Sequence, residues 1–262
     1  ENCKLYKEQA SKILSFDGPN AAELRFNSEW LGKMSFADVT ELAAHFTVQQ
    51  MMERDMFEKR MSEGKPIHLH EFLYPLMQGY DSVAMDVDIE IGGNDQMFNM
   101  LAGRTLLREM KNKEKYVITG KLLTDPTGKK MGKSEGNMLS LSDTAEDMFG
   151  KVMSWTDGMI IPGFEVCTEM RPEEIEMIEV SIKQGENPMK WKRELGKRIV
   201  AWLYGDEAAT RAEEEFNRVH QQGEAPEEIK EMKIESSELS LLDALVMSEL
   251  VASKSDARRQ IE

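Results

Sequence analysis

The stretch EFLYPLMQGYDSVAMDVDIEIGGNDQ, residues 71 to 96, decides how the rest of the chain is read. Tyr74, Gln78 and Asp81 recur at i, i+4 and i+7, which puts three hydrogen-bonding side chains on one face of a helix. Such a face suits a polar ligand. Pro75 would bend a helix already under way, so the helix proper is expected to begin near it, with Tyr74 at the entrance. Val87, Ile89 and Ile91 then alternate as in a strand, the Gly92-Gly93 pair is expected to turn the chain, and Asp95-Gln96 to open a second helix towards Met110. A helix, a strand, a glycine turn and a helix start make up half of a nucleotide-binding α/β unit. Taken singly, each residue has a plainer reading: a solvated stripe for Tyr74, Gln78 and Asp81, an ordinary N-cap for Asp95.

The next segment, KLLTDPTGKKMGKSEGN at residues 121 to 137, reverses that balance. Asp125-Pro126-Thr127-Gly128 is a strong turn signal, and Lys130, Lys133 and Ser134 follow in a loop that also contains Gly132 and Gly136. Two ammonium groups and a hydroxyl in such a loop are suited to a polyphosphate whose charge builds up as a bond breaks. On its own the segment would read as a solvated basic loop.

With both segments in view, KMGKS resembles the KMSKS signature of class I aminoacyl-tRNA synthetases. YPLMQGYDS followed by IGGNDQ resembles the tyrosine-binding helix and ribose loop of the bacterial tyrosyl-tRNA synthetases. The resemblance runs from about Asn2 to the last residue; the departure is Gly132, where many members have Ser. It implies an α/β fold: the second half of a Rossmann-like class I synthetase catalytic domain, then an α-helical anticodon-binding domain and the start of a small RNA-binding domain. The implied boundaries are 1–144, which includes a connecting and dimer-forming segment, then 145–232 and a truncated 233–262.

The activity implied is tyrosine–tRNA ligation, with tyrosine, ATP and tRNA(Tyr) as partners, Mg2+ accompanying ATP, and no tightly bound cofactor, resident metal, DNA or membrane. Lys130, Lys133 and Ser134 would serve the departing pyrophosphate. Gly92, Gly93 and Asp95, with Lys133, would bind ATP, the glycines letting it approach the backbone and Asp95 accepting from its ribose hydroxyls. Tyr74 and Gln78 would hold the tyrosine ammonium, Gln96 would lie near its carboxylate, and Asp81 would accept its phenolic proton. A buried acceptor left unpaired by phenylalanine rejects that analogue, and tyrosyl-tRNA synthetase is itself the standard illustration of the rule.

Two other readings compete. Tryptophan–tRNA ligases resemble the Tyr-Pro…Asp pattern, but tend to be apolar where Gln78 stands. A non-catalytic tRNA-binding fragment or relative is the other, favoured by the lack of a His-x-Gly-His stretch around His45, His68, His70 or His220. If that motif lies before Glu1, the full-length parent is expected to be active and the 262-residue segment alone inactive.

Composition sets the remaining bounds. A net charge of −15 argues against indiscriminate nucleic-acid binding, so RNA contact would need local basic patches. Arg104 to Lys115, Lys121 to Lys133 and Lys183 to Arg198 qualify, and each reads equally as a solvated helix face balanced by neighbouring Glu. Lys254, Arg258 and Arg259 are further RNA candidates by resemblance. No apolar run approaches membrane-spanning length and no signal peptide is evident, which fits a cytoplasmic protein. Cys3 and Cys167 lack metal-ligand spacing and read as buried or idle thiols, and a metal site at His68 and His70 is rejected.

Along the chain, Asn2 to Leu14 is expected to be helical, Leu24 to Phe26 a short strand, and Ser28 and Ser35 to be N-caps. Thr47 to Met61 reads as one amphipathic helix whose Met51, Met52, Met56 and Phe57 suit an internal core or a homodimer interface. Beyond residue 142, caps are expected at Ser142-Asp143, Pro172, Asn187-Pro188 and Asp206, and a helix pair within 239–262.

Overall fold

The computed structural model describes residues 5–125, 131, 138–222, 240–248, 250–251 and 253–261. The chain divides into two compact units, Glu1–Thr210 and Arg211–Glu262. The helices and strands run in the order α1 (Tyr6–Ala10), α2 (Ser28–Leu31), α3 (Phe36–Ala44), α4 (Val48–Met52), α5 (Asp55–Ser62), α6 (Leu73–Met85), β1 (Ile89–Gly93), α7 (Met97–Lys111) and β2 (Tyr116–Gly120). They continue with α8 (Ala145–Ser154), α9 (Ile160–Cys167), α10 (Pro172–Lys183), α11 (Pro188–Tyr204), α12 (Asp206–Gln222), α13 (Leu241–Met247) and α14 (Lys254–Ile261). Short 3-10 turns at Leu69–Phe72 and Asn94–Gln96 lead into α6 and α7.

In the first unit, α6 and α7 pack together on one face of a two-stranded parallel sheet, with Ile89 opposite Tyr116 and Gly93 opposite Gly120. Leu76 and Val83 of α6 meet Leu106 and Leu107 of α7, and Leu42 of α3 and Met51 of α4 close the cluster. The other sheet face carries Ile89, Ile91, Tyr116 and Ile118, each more than half exposed. A second core lies among α8 to α11, where Phe149, Val152, Phe164, Leu195 and Val200 have no exposed surface. In the second unit α13 and α14 pack together, and Val251 and Ala257 are buried.

Several expectations hold. Ser35 caps α3 in a reciprocal box with Asp38, Pro172 and Pro188 occupy the first turns of α10 and α11, and the Asn187 side chain accepts from the Met189 N–H at 3.0 Å. Met51 and Phe57 face the interior, whereas Met56 is exposed. Cys167 is half-buried, and burial pushes its thiol up to about 11, which makes it inert.

Other expectations are corrected. Among the described residues the first helix is only Tyr6–Ala10. Leu24 to Phe26 is irregular, and among the described residues no strand pairs with it. Thr47 to Met61 splits into α4 and α5 at Arg54, whose extended backbone lets its guanidinium lie over the rings of Phe57 and Phe98, 5.0 and 5.5 Å from their centres. Ser28 lies inside α2, with Asn27 at the cap position. Thr144, not Ser142-Asp143, caps α8; Asp143 instead accepts from Ser140 N–H and Lys151. The His68 and His70 rings stack 5.9 Å apart without forming a strand.

Candidate active site

Helix α6 is held by Leu73, Leu76, Tyr80 and Val83, which turn towards the core, so the stripe of Tyr74, Gln78 and Asp81 points elsewhere. Pro75 occupies its third position, where a missing N–H costs nothing. Tyr74 is exposed, and Gln78 and Asp81 are half-buried. An apolar hollow of about 130 Å³ between α2, α3 and α6 is lined from α6 by Leu73, Leu76 and Met77, not by that stripe.

Gly92 and Gly93 do not turn the chain; they end β1, paired with Thr119 and Gly120, and the turn follows at Asn94–Gln96. Consequently α7 begins at Met97, two residues later than the sequence suggests. A Cβ on Gly93 would lie 2.7 Å from Asp95 Oδ1 and 2.8 Å from a Leu122 methyl, so a larger residue there would have to push both side-chain ends aside. Asp95 and Gln96 therefore sit just past the carboxyl end of β1. Both strands are parallel, and the carboxyl ends of parallel strands are where α/β folds place ligands.

A chain of amides joins the polar stripe to this turn. Asn99, only 2% exposed in the first turn of α7, donates to Gln78 Oε1 at 2.9 Å and to Gln96 Oε1 at 3.1 Å. Gln96 in turn donates to Asp95 Oδ2 at 3.0 Å. The expected substrate groups of α6 and of the turn are thus brought together through a residue the motifs did not name. Its spacing, three residues after Gln96, was the available signal.

Asp81 accepts from Trp30 Nε1 at 2.7 Å. Burial pushes its carboxyl up from the ordinary value; hydrogen bonds from Trp30 and Asn27 pull it back, and the nearby Glu90 charge adds to the rise. Behind Asp81, Lys115 is buried and donates to Ser82 Oγ at 2.7 Å, to Met100 C=O at 3.0 Å and to Glu90. Glu90 also accepts from Ser82 at 3.1 Å. One lysine thereby ties α6, α7 and β1 to each other directly behind the stripe. No local pattern pairs Trp30 with Asp81, or Lys115 with Ser82, across separations of 51 and 33 residues.

After β2, Lys121 pairs with Glu165, and the Met131 N–H reaches the Leu123 carbonyl at 3.4 Å, which brings residue 131 back beside the end of that strand. Lys130, Lys133 and Ser134 lie outside the described residues. In the other basic patches several cations are paired. Lys111 and Lys113 pair with Asp86 and Asp88, Lys183 with Glu179, Lys190 with Glu186, Lys192 with Asp157 and Arg198 with Glu194. For Lys183, Lys190 and Arg198 the balanced helix-face reading holds, whereas Lys192 is buried and also donates to the Trp155 carbonyl. Among the described residues no three His, Cys, Asp or Glu side chains gather as metal ligands.

Residues 1–221 match a family model described as tRNA synthetases class I (W and Y). The chain belongs to this class I synthetase family. It is similar along its whole length to the tyrosine–tRNA ligases of Symbiobacterium thermophilum and Thermotoga maritima, at 44% identity to each, and spans 64% and 65% of their lengths. The chain thus covers less than two thirds of the length of these two relatives. In fold it is similar to a tyrosyl-tRNA synthetase from Archaeoglobus fulgidus complexed with L-tyrosine, at 20% identity and a TM-score of 0.56, with 79% of this chain and 71% of that one covered. It is also similar to a C-terminally truncated mitochondrial tyrosyl-tRNA synthetase from Coccidioides posadasii, at 22% identity and a TM-score of 0.54, with 80% and 64% covered. These solved structures support a class I synthetase fold. The described residues are mostly helical around a small parallel sheet, and no helix among them is long and apolar enough to cross a membrane.

Proposed function

We propose that the protein is a tyrosine–tRNA ligase. The observation that carries this reading is the hydrogen-bonded run Gln78–Asn99–Gln96–Asp95, which unites an amino-acid-binding stripe with the turn at the strand ends. The tyrosine–tRNA ligase names of its relatives support the same reading. Tyrosine, ATP with its Mg2+, and tRNA(Tyr) are the substrates. The tyrosine carboxylate attacks the α-phosphorus of ATP, the α–β phosphoanhydride bond breaks, and pyrophosphate leaves with both electrons of that bond. A ribose hydroxyl at the tRNA 3′ end then displaces AMP from the tyrosyl carbonyl.

No protein nucleophile is needed, so catalysis rests on alignment and on charges that fit the transition state. Asp81 accepts the phenol O–H, Tyr74 and Gln78 take the ammonium, and Gln96 faces the carboxylate. Asp95 takes the ribose hydroxyls beside Gly92 and Gly93. Lys130, Lys133 and Ser134 neutralise the pyrophosphate. In this reading 1–144 belongs to the catalytic domain, 145–232 meets the anticodon stem and 233–262 begins an RNA-binding domain, in a cytoplasmic homodimer. An amide at Gln78 favours tyrosine over tryptophan, whose larger ring calls for an apolar neighbour.

Exchange of labelled pyrophosphate into ATP, assayed on the full-length protein, tests the reading. Exchange is expected with tyrosine and not with tryptophan. Exchange driven by tryptophan, or none with either amino acid, would overturn it.

A further inference from the structure

We propose that Asn99 is a positioning residue that decides which way the Gln78 and Gln96 amides face, and so gives the site its grip on the carboxylate of the amino acid. The inference rests on the tyrosine-binding reading above. Asn99 has both N–H groups committed, at 2.9 Å to Gln78 Oε1 and at 3.1 Å to Gln96 Oε1. Its own Oδ1 is buried with no partner among the described residues. A buried oxygen left unpaired is costly, and a leucine of similar size would avoid the cost. What asparagine supplies there, and leucine cannot, is the pair of donors.

Those donors remove a choice. The last torsion of a glutamine is broad and nearly two-fold, so an amide can present oxygen or nitrogen to a ligand at little cost. With Oε1 of Gln96 held by Asn99 and one Nε2–H given to Asp95, the second Nε2–H remains to donate. A carboxylate is its natural acceptor. Gln78, with Oε1 fixed by the same residue, keeps one lone pair for the ammonium. Asn99 thereby assigns the two ends of an α-amino acid to two otherwise equivalent side chains.

Asn99→Asp is nearly isosteric and reverses the assignment. An acceptor would then face two acceptors at about the same 2.9 and 3.1 Å, and both amides would turn over. Gln96 would present oxygen to the substrate carboxylate. Calorimetric titration of the full-length protein with tyrosine and with tyrosinol separates this from general damage, because the alcohol that replaces the carboxylate can donate or accept and tolerates either orientation of the Gln96 amide. For Asn99→Asp, tyrosine affinity is expected to fall on the order of 10-fold or more beyond any fall for tyrosinol, because tyrosinol shares the loss at Gln78 but not the loss of a charge-assisted hydrogen bond at Gln96.

Asn99→Ala, which frees the amides without inverting them, is expected to give a smaller loss with the same selectivity, and it carries the comparison if the Asp variant does not fold. Equal losses for both ligands, or no loss for either, would overturn the proposal. A wild-type protein that binds neither ligand would instead overturn the tyrosine reading on which it stands.

Discussion

Replacing Lys115 by methionine removes the charge that joins α6, α7 and β1 while keeping an unbranched chain of similar length. The Lys115 side chain is fully buried, and its ammonium donates to Ser82, Met100 C=O and Glu90, so it is satisfied in all three directions. In the variant, Glu90 loses its cation and Met100 C=O loses a side-chain donor; Ser82 can still donate to Glu90. Breaking a buried pair by deleting one member costs about 3–5 kcal/mol. Glu90 keeps 25% of its side chain in water, which softens the penalty towards the low end, about 3 kcal/mol. Urea unfolding followed by circular dichroism reads this as a lower midpoint with an unchanged slope.

Lys115→Met combined with Glu90→Leu leaves no orphan charge, so the double variant is expected to recover about half or more of that loss, a coupling of roughly 1.5 kcal/mol or more. Ser82 adjoins Asp81, so tyrosine affinity is expected to fall in the single variant and to return in part in the double. A single variant less than about 1 kcal/mol weaker than wild type, or two losses that simply add, would refute the claim that this pair fixes α6 behind the site.

Further outcomes follow from the geometry. Asp81→Ala is expected to weaken tyrosine far more than ATP, and equal losses by calorimetry would mean that the stripe does not bind the amino acid. Asp81 must be ionised to accept the phenol proton and its pKa is raised, so tyrosine affinity is expected to decline on acidification from a higher pH than an ordinary aspartate would give. Trp30→Phe removes a bond to the ionised form and is expected to move that decline higher still; a shift to lower pH would count against it. Glu71 is held down to about 2, first by Arg60 and then by the His68 N–H, from an ordinary 4.5. Its stabilisation is therefore complete above about pH 4.5 and fades as pH falls towards 2, so the stability gap between wild type and Arg60→Gln is expected to narrow below pH 4.5, and a widening gap would contradict this. Gly103→Ala would put a methyl 2.6 Å from Ser82 Oγ and 2.7 Å from Lys115 Nζ, and a loss of about 1–3 kcal/mol in urea unfolding is expected; a neutral effect would show that the network yields easily.

What could be read without coordinates was what neighbouring residues decide among themselves. The α6 stripe needed only a 3.6-residue period, and the starts of α3, α10 and α11 needed only a cap or a proline within one turn. What could not be read depended on partners far along the chain. Arg54 breaks a continuous amphipathic pattern because two rings, one of them in α7, lie within reach of its guanidinium. Gly92 and Gly93 resemble a turn until Thr119 and Gly120 claim them for a ladder. The segment YVITG is rich in β-branched and aromatic residues, yet without a partner in view its pairing with β1 was not expected.

The candidate site divides along the same line. The motif residues Tyr74, Gln78, Asp81, Asp95 and Gln96 all lie where the helix period and the strand end put them. A motif says nothing about which atom of an amide points outward, because glutamine is nearly symmetrical in shape and opposite in hydrogen-bonding sense at its two ends. That sense is supplied from behind, by Asn99 for the amides and by Trp30 for the carboxylate. Under the tyrosine reading, selectivity is expected to depend on Asn99 and Trp30 as well as on the motif residues, and substitutions at these two positions are expected to alter ligand preference while every motif residue stays in place.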